Sequence, residues 1–368
     1  MKKIAVVYGT RPEAIKLAPV IVELKKINDF EVIVICTGQH KEMLVGIMEL
    51  WDVVPDFSIE PDFISGRSSA IPALMVEIEK VLKQVEPDYV VVQGDTATAT
   101  AGALQAHALH IPVAHVEAGL RSGDLWNPWP EEANRKIIDA ISSLHFAPTT
   151  GSLSNLIDEG HEKTSFLTGN TIVDAIHHAI ALLDSNPEIR SNVQDQLNFS
   201  LDDPFILFTQ HRREGFGTGQ NQVFEAVLQL AELGHKIVFP VHLNPSVRSK
   251  VAERLEGKSG ITLIEPQKYL PFLELIKSSS LIISDSGGLQ EEAPSFGKSI
   301  IITRLRTERP EIVEAGFGHL VGFETPLIVN LAQSLLTRSH DNMINPFGDG
   351  LAASRIAQHI QSFVMDAI

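Results

Sequence analysis

The chain holds one cysteine, Cys36, so no intramolecular disulfide can form and a reducing compartment is suited. Cys36 closes the apolar run EVIVIC with no basic residue beside it, which describes a buried inert thiol rather than a nucleophile. Long hydrophobic runs are also missing. The first apolar stretch, after Met1-Lys2-Lys3, stops at Gly9 and Arg11, too soon for a secretory signal core. Nothing approaches the roughly 18 apolar residues of a membrane span. A cytoplasmic protein with no membrane partner is expected.

Positive charge is scarce. Thirty Lys and Arg stand against 46 Asp and Glu, a net charge of −16, which opposes the basic footprint that nucleic acids demand. A small anionic substrate stays open, provided that a few cations gather in one place. There is no low-complexity tract and no short repeat. The G-x-G-x-x-G dinucleotide fingerprint is missing as well. Gly215-Phe216-Gly217-Thr218-Gly219 has the wrong spacing, and KIVFPV is not followed by the acid that would hold a ribose. That segment reads as a flexible loop or a phosphate nest.

What is present is alternation. IAVVYG, EVIVIC, YVVVQG, IPVAHV, LHFAPT and SFLTG read as strands with continuous apolar residues, as in parallel sheets covered on both faces. Helical patterns lie between them at 13–26, 41–51, 70–84, 97–108 and 131–142, and another follows at 171–183. After the polar, weakly patterned SNPEIRSNVQDQ comes a second series: FILFTQ, KIVFPV, ITLIEP, LIISDS and SIIITR, with helices at 221–233 and 325–337. The chain is long enough for two cores. Two βαβ series predict an α/β protein of two Rossmann-like domains with a central cleft, divided near 170. A last helix, about 350–366, could pack on either domain.

Ligands of such sheets bind beyond the carboxyl ends of the strands, and there the sequence turns polar. Gly9-Thr10-Arg11-Pro12-Glu13, with Lys16 on the next helix, combines close backbone approach with local positive charge, and reads as an anion site. Asp95, in Gln93-Gly94-Asp95-Thr96, would by itself be an ordinary helix cap. Glu117, in His115-Val116-Glu117-Ala118-Gly119, adds a carboxylate to the same rim, and Pro130-Glu131-Glu132-x-x-Arg135 adds more. Converging acids are costly unless they have a purpose.

In the second series, Gln210-His211-Arg212-Arg213-Glu214 could bind phosphate or move protons, and equally could be a solvated loop. Ser284-Asp285-Ser286-Gly287-Gly288-Leu289-Gln290-Glu291-Glu292 follows a strand and opens a helix. Ser286, Gly287 and Gly288 offer a hydroxyl and backbone N–H groups to a diphosphate, and Glu292 could hold a ribose diol. Arg304-x-Arg306-Thr307-Glu308-Arg309 is expected to bring three arginines to that place. Pro266-Gln267 and Phe272 look like a turn and a core aromatic.

At these residues the chain resembles the non-hydrolysing UDP-N-acetylglucosamine 2-epimerases. The resemblance runs from G-T-R-P-E-A-I-K-L-A-P at 9–19 to N-P-F-G-D-G at 345–350. It passes through G-D-T, H-V-E-A-G-L-R, P-W-P-E-E-A-N-R, H-R-R-E, P-V-H-L-N-P, D-S-G-G-L-Q-E-E-A-P-S and T-E-R-P-E. It implies the glycosyltransferase-B architecture, with a first domain over 1–170 completed by the helix 350–368 and a UDP-binding domain over 171–349. It also implies a homodimer and no cofactor or metal. Arg11, Lys16, Asp95, Glu117, His211, Gln267, Phe272, Ser286, Gly287, Gly288, Glu292 and Arg309 would contact the sugar nucleotide. Asp95, Glu117, Glu131, Arg135 and His211 would serve the chemistry. Gln39, Glu132, Arg212 and His242 match a regulatory site for a second UDP-N-acetylglucosamine.

The implied reaction expels UDP from C1 while a base removes the C2 proton, giving 2-acetamidoglucal. UDP then adds back as a proton reaches the opposite face. Alternatives are an epimerase of a related 2-acetamido sugar nucleotide, a hydrolysing epimerase, a glycosyltransferase of the same fold, or a binding protein without activity.

Overall fold

The computed structural model describes residues 1–38, 46–59, 70–197, 199, 201, 203–210, 218–241, 245–337 and 343–366. His211, Arg212, Gln39 and His242 lie outside the described residues, as do Gly215 to Gly217 and much of the expected 41–51 helix. Two compact units appear: Met1–His177 together with Phe347–Ile368, and His178–Pro346.

The first unit is built on β1 (Lys2–Tyr8), β2 (Phe30–Cys36), β3 (Phe57–Ser58), β4 (Tyr89–Gln93), β5 (Val113–Val116), β6 (Leu144–Ala147) and β7 (Ser165–Leu167). They form one seven-stranded sheet in the order β3-β2-β1-β4-β5-β6-β7. All its pairings are parallel, with Ile4 opposite Val32 and Tyr89 in the two neighbours of β1. Every residue of β4, β5 and β6 is buried, as a strand covered on both faces must be. Val7, Val90, Val92, Leu74, Ile78 and Ala103 share one of its cores.

The second unit holds β8 (Phe205–Thr209), β9 (Lys236–Pro240), β10 (Ile261–Ile264), β11 (Leu281–Ser284), β12 (Ile300–Ile302) and β13 (Gly318–Leu320). These make a parallel sheet in the order β10-β9-β8-β11-β12-β13. Phe208, Phe224, Phe239, Ile283 and Ile301 lie in its core. Both sheets carry flanking helices, so the α/β class read from the sequence is what forms.

The polar stretch after 185 is a helix, Pro187–Leu197, where the sequence reading had no element. Asn186 starts it by accepting the N–H groups of Glu188 and Ile189 at 3.2 Å each. Val193 and Leu197 are its two buried anchors, too few to show as a periodic pattern.

The last helix, Ala352–Asp366, belongs to the first unit. The Asp174 carboxylate accepts the N–H of Ala352 at 3.3 Å and of Ala353 at 2.9 Å, filling the role of a cap from a distant helix. His359 stacks on Phe166 with ring centroids 4.0 Å apart, and Phe363 meets the edge of Tyr89. Gly350 has φ +82°, and a Cβ there would fall 2.2 Å from a ring nitrogen of His177.

Candidate active site

The carboxyl ends of β1, β4 and β5 are neighbours because β1 pairs β4 and β4 pairs β5. Their following loops therefore share one rim. After β1, Thr10 caps the Arg11–Lys25 helix in a capping box with Glu13. Lys16, one turn further on, is buried and its Nζ lies against Glu117 Oε2. Gln93, the last residue of β4, donates to the same oxygen at 2.9 Å. Thus Glu117 is held by a cation and an amide, while its own backbone takes the left-handed φ of +66°. For a residue with a long side chain that conformation is strained.

Asp95 stands after β4 beside Gly94. Arg135 reaches it from the Glu131–Ile141 helix, Nε to Oδ2 at 2.8 Å, and Asn134 donates to its backbone oxygen at 2.8 Å. The sequence places Arg135 near a carboxylate; the structure says which one. Arg135 is also fixed from behind by Glu132, Nη1 to Oε2 at 2.6 Å. Glu132 is wholly buried and additionally accepts the N–H groups of Ser122 at 2.9 Å and Gly123 at 3.3 Å. Glu131 opens this helix, and its Oε2 is shielded from solvent with no hydrogen-bond partner among the described residues. A carboxylate oxygen kept dry and unengaged is suited to exchanging a proton. Arg11 is half-buried at the helix start.

In sequence Glu13 is only one member of a motif, yet it ties two of the loops together. Its Oε2 accepts the N–H of Gly9 at 3.0 Å and of Thr10 at 2.7 Å, and its Oε1 accepts the Thr96 hydroxyl at 2.5 Å. Complete burial raises its pKa despite the donors from Thr96, Thr10 and Gly9. An acid raised in this way stabilises the fold below its unfolded value, about 4.3. That contribution disappears as pH climbs through the folded value. Glutamine can complete the same capping box without ionising. The melting temperature of Glu13→Gln relative to the wild type should therefore increase from about pH 4 to pH 8. A constant difference across that series of thermal melts would contradict the argument.

In the second unit, Ser286 caps the Gly287–Glu292 helix, accepting the Leu289 N–H at 3.4 Å, and its own N–H donates to Ser284 Oγ at 2.9 Å. The helix is only six residues long before it tightens into the 3₁₀ turn Ala293–Phe296. Local N–H groups rather than an extended helix dipole are therefore what it can offer an anion. Arg309 lies over Gly287: a Cβ there would come within 3.0 Å of Nη1. Glu291 accepts from Arg309 Nε at 2.5 Å, and Glu308 stands 3.5 Å from Nη1.

Of the three expected arginines, Arg304 and Arg309 meet at one oxygen of Glu308, at 2.9 and 3.5 Å. Arg304 is buried and turned to Glu308 in a two-bonded pair, both distances 2.9 Å, while Arg306 is exposed. Sequence proximity could not show that Glu308 would claim Arg304. Phe272 is half-buried on the Tyr269–Ser278 helix, not one of its core-facing residues, and half-buried Gln267 donates to Glu265 O at 2.6 Å. Glu292 is also half-buried. The roles of Glu13, Gln93, Asn134 and Glu291 were not foreseen, although each lies inside or beside a quoted motif.

A family model described as UDP-N-acetylglucosamine 2-epimerase matches residues 22–361. The chain belongs to the UDP-N-acetylglucosamine 2-epimerase family. It is 41% identical to the UDP-N-acetylglucosamine 2-epimerase of Escherichia coli K12 over 374 residues, covering 98% of both chains. The Yersinia pestis relative of that name matches with the same identity and coverage. Among solved structures, the Neisseria meningitidis UDP-GlcNAc 2-epimerase bound to UDP-GlcNAc superposes with a TM-score of 0.92. The two are 39% identical, over 98% of this chain and 100% of that one. The Methanocaldococcus jannaschii enzyme in complex with UDP-GlcNAc and UDP gives 0.85 at 37% identity, over 98% and 99%. The family's two Rossmann-like units, of the glycosyltransferase-B type, are the two parallel-sheet units described above. No helix among the described residues is long and apolar enough to cross a membrane.

Proposed function

We propose that this epimerase interconverts UDP-N-acetylglucosamine and UDP-N-acetylmannosamine by eliminating and re-adding UDP. The C2 hydrogen of the sugar is not next to a carbonyl, so its direct removal would be prohibitively slow. Breaking the C1–O bond to UDP as a base takes that proton forms a C1–C2 double bond, and the bonding electrons leave on the diphosphate. Re-addition of UDP at C1, with a proton delivered to the other face of C2, gives the epimer. The route is redox-neutral and needs no nicotinamide.

The observation that supports this reading is the pair of differently held carboxylates on one rim: Asp95 with Arg135, and Glu117 with Lys16 and Gln93. Inversion at C2 requires one group to take a proton and another to give one. Asp95, Glu117, Glu131 and His211 are the candidates, with Arg135 orienting Asp95. Ser286, Gly287, Gly288 and Arg309 would receive charge developing on the diphosphate, helped by Arg11 and His211. Glu292 would hold the ribose, and Gln267, Phe272 and Lys16 would complete the contacts. A homodimer in the cytoplasm, and activation by a second UDP-N-acetylglucosamine through Gln39, Glu132, Arg212 and His242, remain part of the proposal.

The test is incubation with UDP-N-acetylglucosamine in heavy water, without added cofactor, followed by proton NMR. Deuterium should enter C2 of both epimers. Turnover without label at C2 would overturn the mechanism, and release of free N-acetylmannosamine would replace it with hydrolysis.

A further inference from the structure

Behind the rim lies a second, fully buried polar group that the proposed chemistry does not use. His115 and Asp139 have no solvent exposure. His115 Nδ1 is 2.6 Å from Asp139 Oδ1, and its Nε2 is 2.8 Å from the backbone oxygen of Gly94. A carbonyl oxygen can only accept, so Nε2 carries a hydrogen. Another must lie between Nδ1 and the carboxylate, since two lone pairs at that separation repel. Asp139 Oδ2 accepts the N–H of Gly119 at 3.2 Å and Arg121 Nη2 at 2.7 Å. Burial by itself would push the Asp139 carboxyl up; His115 and Arg121 outweigh it and hold the group well below the usual carboxylate range.

The two backbone groups gripped in this way are not arbitrary. Gly94 precedes Asp95, and Gly119 is two residues beyond Glu117. Gly94, Glu117 and Gly119 all have left-handed φ values, +70°, +66° and +84°. Both loops thus turn sharply just where a carboxylate is presented, and a kinked backbone keeps its shape only if its surroundings fix it. Asp139 also lies one turn beyond Arg135 on the same helix, so a single helix grips the Asp95 side chain and, through His115, the backbone before it.

We propose that Asp139 and His115 are positioning residues that fix Asp95 and Glu117 relative to each other, acting through the Gly94 carbonyl and the Gly119 amide. This rests on the epimerase reading. Their burial beneath the loops keeps them from the substrate, so their loss should disturb geometry at the carboxylates and leave nucleotide affinity alone. Misplacement of a reacting group by about 1 Å costs on the order of 10²-fold in rate.

The experiment compares wild type, Asp139→Asn and Arg121→Gln by calorimetric titration with UDP and by C2 deuterium incorporation at saturating UDP-N-acetylglucosamine. Turnover is expressed per UDP-binding site. Asp139→Asn should lower turnover per site by on the order of 10²-fold, with KM and UDP affinity unchanged. Arg121→Gln, which removes one charged partner of Asp139 from the side away from His115, should lower it about tenfold. A merely structural role would reduce the number of UDP-binding sites and leave turnover per site at the wild-type value. That result in both variants would overturn the proposal; if Asp139→Asn yields no UDP-binding protein, Arg121→Gln alone decides by the same criterion. Wild-type protein that binds UDP but incorporates no deuterium would instead sink the epimerase reading, and this inference with it.

Discussion

Replacing Glu117 with glutamine is expected to reduce turnover by ~10²–10⁴-fold, the usual worth of a positioned acid or base, while UDP affinity holds. The substitution keeps the shape of the side chain and an oxygen for Gln93 to donate to at the rim. What it removes is the ability to take or give a proton, and the negative charge against Lys16. That ion pair is largely withdrawn from solvent, with side-chain exposures of 8% and 11%, so a thermal melt must accompany the kinetics. Deuterium incorporation at C2, followed by NMR at saturating substrate, reads the chemical step directly. A rate near that of the wild type would remove Glu117 from the mechanism and leave Asp95, Glu131 and His211 to perform both proton transfers.

Gly119→Ala should be the most damaging small substitution on the same rim. A Cβ at Gly119 would fall 2.3 Å from the Ser152 backbone oxygen and 2.8 Å from Leu156 Cγ, with φ at +84°. Neither a backbone carbonyl in a helix nor a fully buried leucine can easily withdraw. The left-handed conformation costs about 1–2 kcal/mol and overpacking about 1–3 more, for a combined loss of about 2–5 kcal/mol. Gly94→Ala supplies the internal comparison. Its φ is +70°, but no atom of the described residues lies within 4 Å of the added carbon, so only the conformational cost of about 1–2 kcal/mol applies. Urea unfolding should rank Gly119→Ala well below Gly94→Ala. Equal midpoints would show that the loop after β5 can shift freely, and would weaken the argument that its shape is fixed from behind.

Much of this architecture is legible in the amino-acid order, for a physical reason. A parallel strand buried on both faces has to be a short apolar run, and YVVVQ, LHFA and LIIS could hardly be anything else. The edge strands Phe57–Ser58 and Gly318–Leu320 are two and three residues long and carry no such signature. The helix Pro187–Leu197 hides for the opposite reason, being polar almost all round.

At the site, position after a strand identifies Asp95 and Glu117, because the sheet order alone brings those loops together. Pairing is a different matter. Arg135 meets Asp95 across 40 residues and Lys16 meets Glu117 across 101, and no local pattern announces either. The same blindness hid Glu308, which pairs with Arg304 and stands beside Arg309. His115 and Asp139 are quieter still: in sequence, one is a polar residue inside a strand and the other a helical aspartate.

The route of the chain through its two units has a consequence for biosynthesis. The first unit begins at Met1 but is finished only by Phe347–Ile368, after the whole of His178–Pro346 has been made. On the ribosome, the Asp174 carboxylate waits for the amides of Ala352 and Ala353 until all of the second unit has been synthesised. The later-made unit can thus complete its core while the earlier one still lacks its closing helix. A premature stop shortly after Pro346 would therefore wound the part of the protein synthesised first, exposing Tyr89 and Phe166 where Phe363 and His359 should lie.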